Sequence, residues 1–594
     1  MKTFFKTLLA SLIGTILASI VLFFLFFLVI IGIMSSASDA EVSEIEKHSI
    51  LTFDFSSSIT DREPDNPFSN FDFMNLQPDK STGLNIILEN INKAKTDDNI
   101  DGIFLKLSSI DAGIATIEEI RNALLDFKKS KKFLISYADF YTQGTYYLAS
   151  VSDKIYTNPQ GGMDFVGLSM QVMFFKRVFE KFGIEPIIIR HGKFKSAVEP
   201  FLLDKMSEAN EEQLSTFTKT IWTDILQKIS IERKIELNRL NEIADKLLVK
   251  NAISSVELGL VDSLKYYDEV LLQLMKKTQS KSLEDLEFVS LATYSKVPKK
   301  KVDNKEKGLS KDKIAVVFAT GEIVMGKGDD SNIGAESLSS NIRKLRNDDK
   351  IKAIVLRINS PGGSALASEI IWHEVFLAKK EKPVIVSMGD YAASGGYYIA
   401  CAADSIIADP NTLTGSIGVF GVLFNIQKLL NDKIGITVDR VNTNKFSDIG
   451  TVTRKMEKEE ESYIQGSIED IYSTFIKHVA DGRGMTVEAI DSIGQGRIWS
   501  GINALKLGLV DKLGGMEDAI EIAAKKANLE NYRIVNYPQP KDPFDTFIEI
   551  MDGNVRSHVF EQEINDFEPY FEMYKNLSKQ KGVQARLPFN IIYN

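Results

Sequence analysis

FLISYADFYTQGTYYLASVSDKIYTNP at residues 133–159 and VIVSMGDYAASGGYYIACAADSIIADP at residues 384–410 are two versions of one stretch, 251 positions apart. IDGIFLKLSS (100–109) and IKAIVLRINS (351–360) repeat at the same offset, so no gap separates the two blocks. GLVDSL (259–264) and GLVDKL (508–513) recur at an offset of 249. Shared apolar composition can imitate one such block, but not several in register. The chain carries an internal duplication.

Each half opens on a short β-branched run, SILTFDF (49–55) and KIAVVFAT (313–320). Further strand-like runs follow (IFLKL and FLISY; AIVLRI and VIVSM), separated by helical patterns such as IEEIRNALLDFKK and ASEIIWHEVFLAKK. That alternation predicts an α/β fold, two tandem units with buried, largely parallel sheets. The expected organisation is an N-terminal segment 1–46, a first half 47–295, a polar lysine-rich linker 296–312, a second half 313–531 and a weakly patterned C-terminal extension 532–594.

Composition bounds the function. A formal charge of -10 argues against a nucleic-acid surface, which needs clustered Lys and Arg. One cysteine, Cys401, rules out an intrachain disulfide and a cysteine-rich metal site, and its apolar surroundings read as core. Lys2 and Lys6 precede an uncharged stretch from Thr7 to Ser38. A bilayer takes about 20 apolar residues and a signal-peptide core only about 7–15, so length favours a retained transmembrane helix over about 8–34. Lysines before it and Asp39, Glu41 and Glu44 after it place the N-terminus in the cytoplasm and the bulk across the membrane. A long cleaved signal, helped by the small residues of SSASDA, is the alternative.

Two glycine-containing turns in the second half carry the candidate chemistry. Asn359-Ser360-Pro361-Gly362-Gly363-Ser364 follows AIVLRI, and Ala392-Ala393-Ser394-Gly395-Gly396-Tyr397 follows VIVSM. Ser394 is expected at the start of a helix, exposed above the sheet. Backbone N–H groups of Gly363, Gly395 and Gly362 are candidates for binding an oxyanion. Tight turns that need glycine for φ > 0 would look the same. The comparison of halves weighs against that alternative: Ser394 faces Gln143, Gly362 faces Asp111 and Gly363 faces Ala112 at offset 251. The first half has kept the framework and lost the serine and both glycines.

A nucleophilic serine needs a base. The five histidines (His48, His191, His373, His478, His558) leave the span between 373 and 478 empty, and His373 lies in a helical pattern that reads as structural. HGKFKSAVEP (191–200) offers Lys193 and Lys195 instead, although a lysine pair in a loop is ordinarily solvated surface.

GKFKSAVEPF, NSPGGS, GDYAASGGYY, TLTGSIGVFG and GQGRIWSGINALKLGLVD together resemble the signal peptide peptidase A family in its long, duplicated bacterial form. The resemblance runs from about residue 48 to about 530 and draws on both halves. It implies tandem Clp/crotonase-like domains behind a membrane anchor, and a Ser–Lys dyad with Ser394 as nucleophile and Lys195 as base. It further implies that Ser416, from TGSIG, hydrogen-bonds the lysine, and that no metal, nucleotide or other cofactor takes part. The implied partners are hydrophobic peptides, signal peptides among them, the bacterial inner membrane with the catalytic part facing the periplasm, and three further copies in a homotetramer. At offset 251 Phe446 stands opposite Lys195 and Phe165 opposite Ser416, so neither half holds a complete dyad and the site must form between halves.

The demand on Lys195 is physical. A free lysine titrates at about 10.4, and acting as a base near neutrality requires a fall of roughly three units, about 4 kcal/mol against the charged form. Burial between domains supplies that. Lys193 is expected to face solvent. Two rival readings are a crotonase-type acyl-CoA enzyme, which would rely on Glu or Asp, and a catalytically silent membrane scaffold.

Overall fold

A computed structural model describes residues 2–38, 45–63, 71–72, 77–78, 81–298, 310–329, 331–539 and 584–586. The β-branched runs of the first half form a six-stranded parallel sheet. Its order is Ser263–Leu264, Lys154–Met163, Phe133–Tyr141, Ile100–Lys106, Ser49–Phe53, Phe288–Ser290. The second half repeats the plan with Leu413–Gly415, Val384–Ala393, Ile351–Ser360, Lys313–Thr320 and Arg533–Tyr537, all parallel, and Ile498–Ser500 antiparallel at one edge. Helices cover both faces, so central strands read as continuous apolar runs: Ile103, Phe104 and Leu105 are fully buried, as are Ala353 and Val355.

The halves share one interior. Ile314, Val316, Val355, Ile385 and Met516 of the second half pack in the same cluster as Leu51, Ile103, Ile117 and Leu134 of the first. Charged groups cross the same boundary. Arg357, wholly buried on the Ile351–Ser360 strand, meets Asp61 at 2.7 Å and Glu119 at 2.6 Å. Asp390 accepts from the Thr116 N–H and hydroxyl at the start of helix Ile114–Lys128. Reciprocally, Glu119 accepts from the Met516 N–H at the start of helix Met516–Lys526. Each half thus places a carboxylate at the positive end of a helix in the other.

A third sheet lies across the junction. Glu185–Arg190, a strand on an arm of the first half, pairs antiparallel with Phe420–Asn425 of the second. On the other side of Phe420 runs Gln584–Arg586, which pairs with Gly362–Ser364.

Lys2–Ser38 forms one α-helix, whose side chains from residue 26 onward lie outside the description. Among the described residues no helix is long and apolar enough to cross a membrane. Most of the expected linker and of the C-terminal extension, and His558, also lie outside the described residues.

Candidate active site

The strand Val384–Ala393 ends at Ser394, which opens the short helix Gly395–Ala400. Ser394 takes φ 57°, a backbone state that non-glycine residues adopt rarely and that is retained where surrounding structure imposes it. Its N–H donates to the Gly415 carbonyl at 2.8 Å, and Gly396 lies where a Cβ would come within 2.8 Å of the Ser360 carbonyl. The serine turn is therefore wedged between two neighbouring strands. Ser416, one residue past strand Leu413–Gly415, also has positive φ, at 49°.

The arm of the first half delivers Lys195 to this point. Its Nζ lies 2.8 Å from Ser394 Oγ, 3.0 Å from Ser416 Oγ and 3.1 Å from the Ser416 carbonyl. Ser394, expected to be exposed, is instead 0% exposed, covered by the Leu413–Gly415 strand that its N–H binds and by the Lys195 side chain; Lys195 and Ser416 are each 1% exposed, so no bulk water competes for these contacts. Burial alone pushes the Lys195 ammonium down to about 7. Lys193 is exposed, with its ammonium over the Phe194 ring.

The two glycines of the first turn do more than turn. Gly362–Ser364 is a short strand paired through Gly363 with Ile323, and a Cβ on Gly363 would fall 2.1 Å from the Ile323 carbonyl. The Gly362 N–H donates to Ser360 Oγ at 3.2 Å. Gly395 directly follows the serine at the helix start, Gly363 lies in the neighbouring strand, and Gly362 has its donor engaged within the turn.

Sequence reading assigned no role to the residues that clamp the lysine. The loop Gln495-Gly496-Arg497 binds both partners: Phe194 N–H donates to the Gln495 carbonyl, Ser416 N–H to the Arg497 carbonyl, and Gly496 N–H to the Ile417 carbonyl. A Cβ on Gly496 would sit 2.6 Å from Lys195 Cβ, so only glycine lets the stem pass. Gln213, on helix Glu208–Arg233, donates to the Phe194 carbonyl and Ser196 Oγ and accepts from the Ile498 N–H, tying the lysine loop to the second half. The GQGRIW motif was the available signal, through its glycine.

The remaining candidates are accounted for. His191 stacks on Tyr472 and contacts Glu469; His478 stacks on Trp372 and contacts Glu369. His48 contacts Asp101, and His373 is exposed on its helix. Cys401 is fully buried, and its thiol is pushed up to about 12 by desolvation. Among the described residues no group of His, Cys, Asp and Glu has a metal-holding arrangement.

Duplicated α/β halves and a buried serine held on a constrained strand end define a serine protease of the Clp-like class. Residues 126–281 and 377–530 match the model of peptidase family S49, and residues 305–413 that of Clp protease. Protease 4 of Salmonella typhi is 38% identical over 484 residues, covering 79% of this chain and 76% of that protein. The chloroplastic serine protease SPPA of Arabidopsis thaliana is 34% identical over 91% of this chain and 78% of its own length. Protease 4 of Haemophilus influenzae is 36% identical over 74% and 72%. The chain belongs to peptidase family S49.

Proposed function

We propose that this serine protease is a membrane-anchored endopeptidase working through a Ser394–Lys195 dyad, with hydrophobic peptides, cleaved signal peptides among them, as substrates. The observation that carries the dyad is the 2.8 Å approach of Lys195 Nζ to Ser394 Oγ in a place closed to solvent. With its pKa near 7, the amine has a free lone pair in a large fraction of molecules at neutral pH. Ser394 Oγ attacks the scissile carbonyl as its proton passes to Lys195 Nζ. The resulting ammonium protonates the leaving amine, and the neutral lysine then activates the water that hydrolyses the acyl-enzyme. Ser416 holds the amine toward the nucleophile through its hydroxyl and carbonyl. The N–H groups of Gly363 and Gly395 stabilise the oxyanion, with Gly362 shaping the turn.

The strand Gln584–Arg586 supports a peptide substrate. It lies between Gly362–Ser364 and Phe420–Asn425, with Ala585 opposite Gly363 and Gln584 opposite Phe420. The gap between those two strands is thus one extended strand wide, and main-chain pairing of a substrate there would set its backbone against Gly363.

The anchor rests on residues 7–38 of the sequence. Leu8, Leu9, Leu17, Leu22 and Leu25 are all exposed and fall on every side of the helix, an arrangement suited to lipid. Orientation by Lys2 and Lys6 puts the catalytic part in the periplasm of a bacterial inner membrane, and the resemblance adds a homotetramer.

A serine-directed acylating probe tests the dyad. Labelling is expected in the full chain and absent in Ser394→Ala and Lys195→Ala. Labelling that survives Ser394→Ala, or that is lost in Lys193→Ala and kept in Lys195→Ala, overturns the assignment.

A further inference from the structure

Lys195 stands at the apex of a γ-turn. Its φ of -73° and ψ of 74° lie in the inverse-γ region, and the Ser196 N–H closes the turn by donating to the Phe194 carbonyl at 2.8 Å. One such bond is a weak hold for a residue that must reach Ser394 in the other half. A single side chain grips the turn on both sides of the lysine. Gln213 Nε2 donates to the Phe194 carbonyl at 3.1 Å and to Ser196 Oγ at 2.9 Å, and Gln213 Oε1 accepts from the Ile498 N–H of the second half at 3.2 Å.

The sense of this amide is set further back. Glu199 is 2% exposed, and its donors are all neutral: the Ser207 N–H at 3.2 Å, the Ser207 hydroxyl at 2.6 Å and Asn210 Nδ2 at 3.0 Å. A carboxylate accepts and does not donate, so Asn210 must turn its NH2 group to Glu199 and its Oδ1 to Gln213. Asn210 Oδ1 then accepts from Gln213 Nε2 at 3.1 Å, which leaves Gln213 Oε1 to accept from Ile498. Reversed, Gln213 would set its oxygen against the Phe194 carbonyl and its NH2 against the Ile498 N–H. Asn210 and Gln213 are 2% and 1% exposed, so water cannot satisfy either amide in the opposite sense. One buried carboxylate fixes the direction of two amides.

The second half supplies the control. The matching helices Glu208–Arg233 and Lys458–Arg483 are both 26 residues long and end on arginines that pair with Asp262 and Asp511. Position by position, Glu460 stands where Asn210 does, and Tyr463 where Gln213 does. Glu460 pairs with Arg454 at 2.6 Å, and Tyr463 is 70% exposed. There an ion pair serves a helix start that the fold alone requires. The chain of amides occurs in the half that delivers the lysine.

We propose that Glu199, Asn210 and Gln213 are positioning residues for acylation, which together hold the γ-turn that aims Lys195 at Ser394. The inference rests on the dyad reading above and adds to it the residues that place the base.

The test follows serine-probe labelling of the full chain in detergent micelles across pH, as a maximal rate and a half-saturating probe concentration. Gln213→Met keeps the length of the side chain and removes the amide. A loosened turn lets water reach the lysine, whose titration then climbs from about 7 toward its ordinary value. Each unit of that climb slows labelling at neutral pH about tenfold. Gln213→Met is therefore expected to label about 10–100-fold more slowly at neutral pH, to recover toward the wild-type rate by about pH 9, and to keep the half-saturating concentration. A residue needed only for the fold would lower the melting temperature and leave the pH midpoint in place. Glu199→Gln keeps the shape and one accepting oxygen, and it decides the matter if the methionine variant does not fold. With the amides no longer held to one sense, its labelling is expected to slow about 3–10-fold, with the same upward shift of the midpoint. Wild-type labelling in a folded variant, a loss equal at every pH, or a change confined to the half-saturating concentration overturns the inference. If Lys195→Met loses labelling while Gln213→Met labels normally, the dyad stands and the positioning role falls. If Lys195→Met labels at the wild-type rate, the dyad reading falls and this inference with it.

Discussion

The two halves keep one framework and differ at the point where chemistry would occur. In the second half Ser394 Oγ stands 3.4 Å from the Gly418 carbonyl and 2.8 Å from Lys195 Nζ. In the first half Gln143 takes the serine's place, and its amide binds the backbone of the equivalent loop: Oε1 accepts from the Val166 and Gly167 N–H groups, and Nε2 donates to the Gly167 carbonyl. Phe165, the counterpart of Ser416, is buried against Tyr146 and Trp222. Asp111 and Ala112 replace the two glycines, and no strand forms there to receive a peptide. On the proposed reading one half presents the acylation apparatus and the other delivers the base. Docking of the halves would then be a condition of activity, and the comparison can be broken at either side.

The largest effect is expected from removing the base. Lys195→Met should slow acylation of a serine-directed probe by about 10²–10⁴-fold, the usual range for a general base. The same change should stabilise the fold. The buried lysine titrates near 7 against about 10.4 in the unfolded chain, so burial opposes folding fully below pH 7, less as pH rises, and not at all above about 10.4. Melting of wild type and Lys195→Met should differ most at pH 6, by up to about 4–5 kcal/mol, and converge toward pH 10. A difference that grows with pH would sink the neutral-lysine reading. In wild type, probe labelling should fall about tenfold per pH unit below 7.

Next in size is the ion pair that joins the halves. Arg357→Met leaves Asp61 and Glu119 buried without their cation and should cost about 3–5 kcal/mol in denaturant titration. Because these carboxylates belong to the half that carries Lys195, labelling should fall with stability. A variant with unchanged unfolding would show that the shared apolar core alone sets the docking.

Ser416→Ala removes one of the two Ser416 contacts to Lys195 and leaves the carbonyl. Labelling should drop about 5–30-fold, as for loss of a hydrogen bond of about 1–2 kcal/mol to a group that is charged in the transition state. A Ser416→Thr variant, which keeps the hydroxyl, should recover most of it.

The sheets were legible because strand periodicity and repeated motifs are local signals; Ser394 and Lys195 were singled out through the resemblance, and their side chains lie 2.8 Å apart. The joints between halves were not legible. IEEIRNALL reads as an amphipathic helix with a polar Glu118–Glu119 face, yet both residues are buried at the boundary, where Glu119 meets Arg357. Asp61 lies in a segment with no pattern at all. Burial of an ion pair between residues 296 positions apart leaves no periodic trace in either partner. Gly362 and Gly363 read as a turn and proved to be a strand, since their pairing partners, Ile323 and Ala585, are remote in sequence.

The smallest effect tests the empty half. Gln143→Ser restores the residue type found opposite it, but it should create no second acylation site. Phe165 still fills the place of Ser416, the second half has Phe446 where the first has Lys195, and Asp111-Ala112 offers no glycine strand. With Ser394→Ala in the background, labelling of Gln143→Ser should stay at zero. The substitution should instead cost about 1–2 kcal/mol, because the shorter hydroxyl cannot reach both the Val166 and Gly167 N–H groups that the amide now satisfies. Labelling at position 143 would mean that the serine turn alone suffices for acylation, and that the lysine delivered by the other half accelerates the reaction rather than permits it.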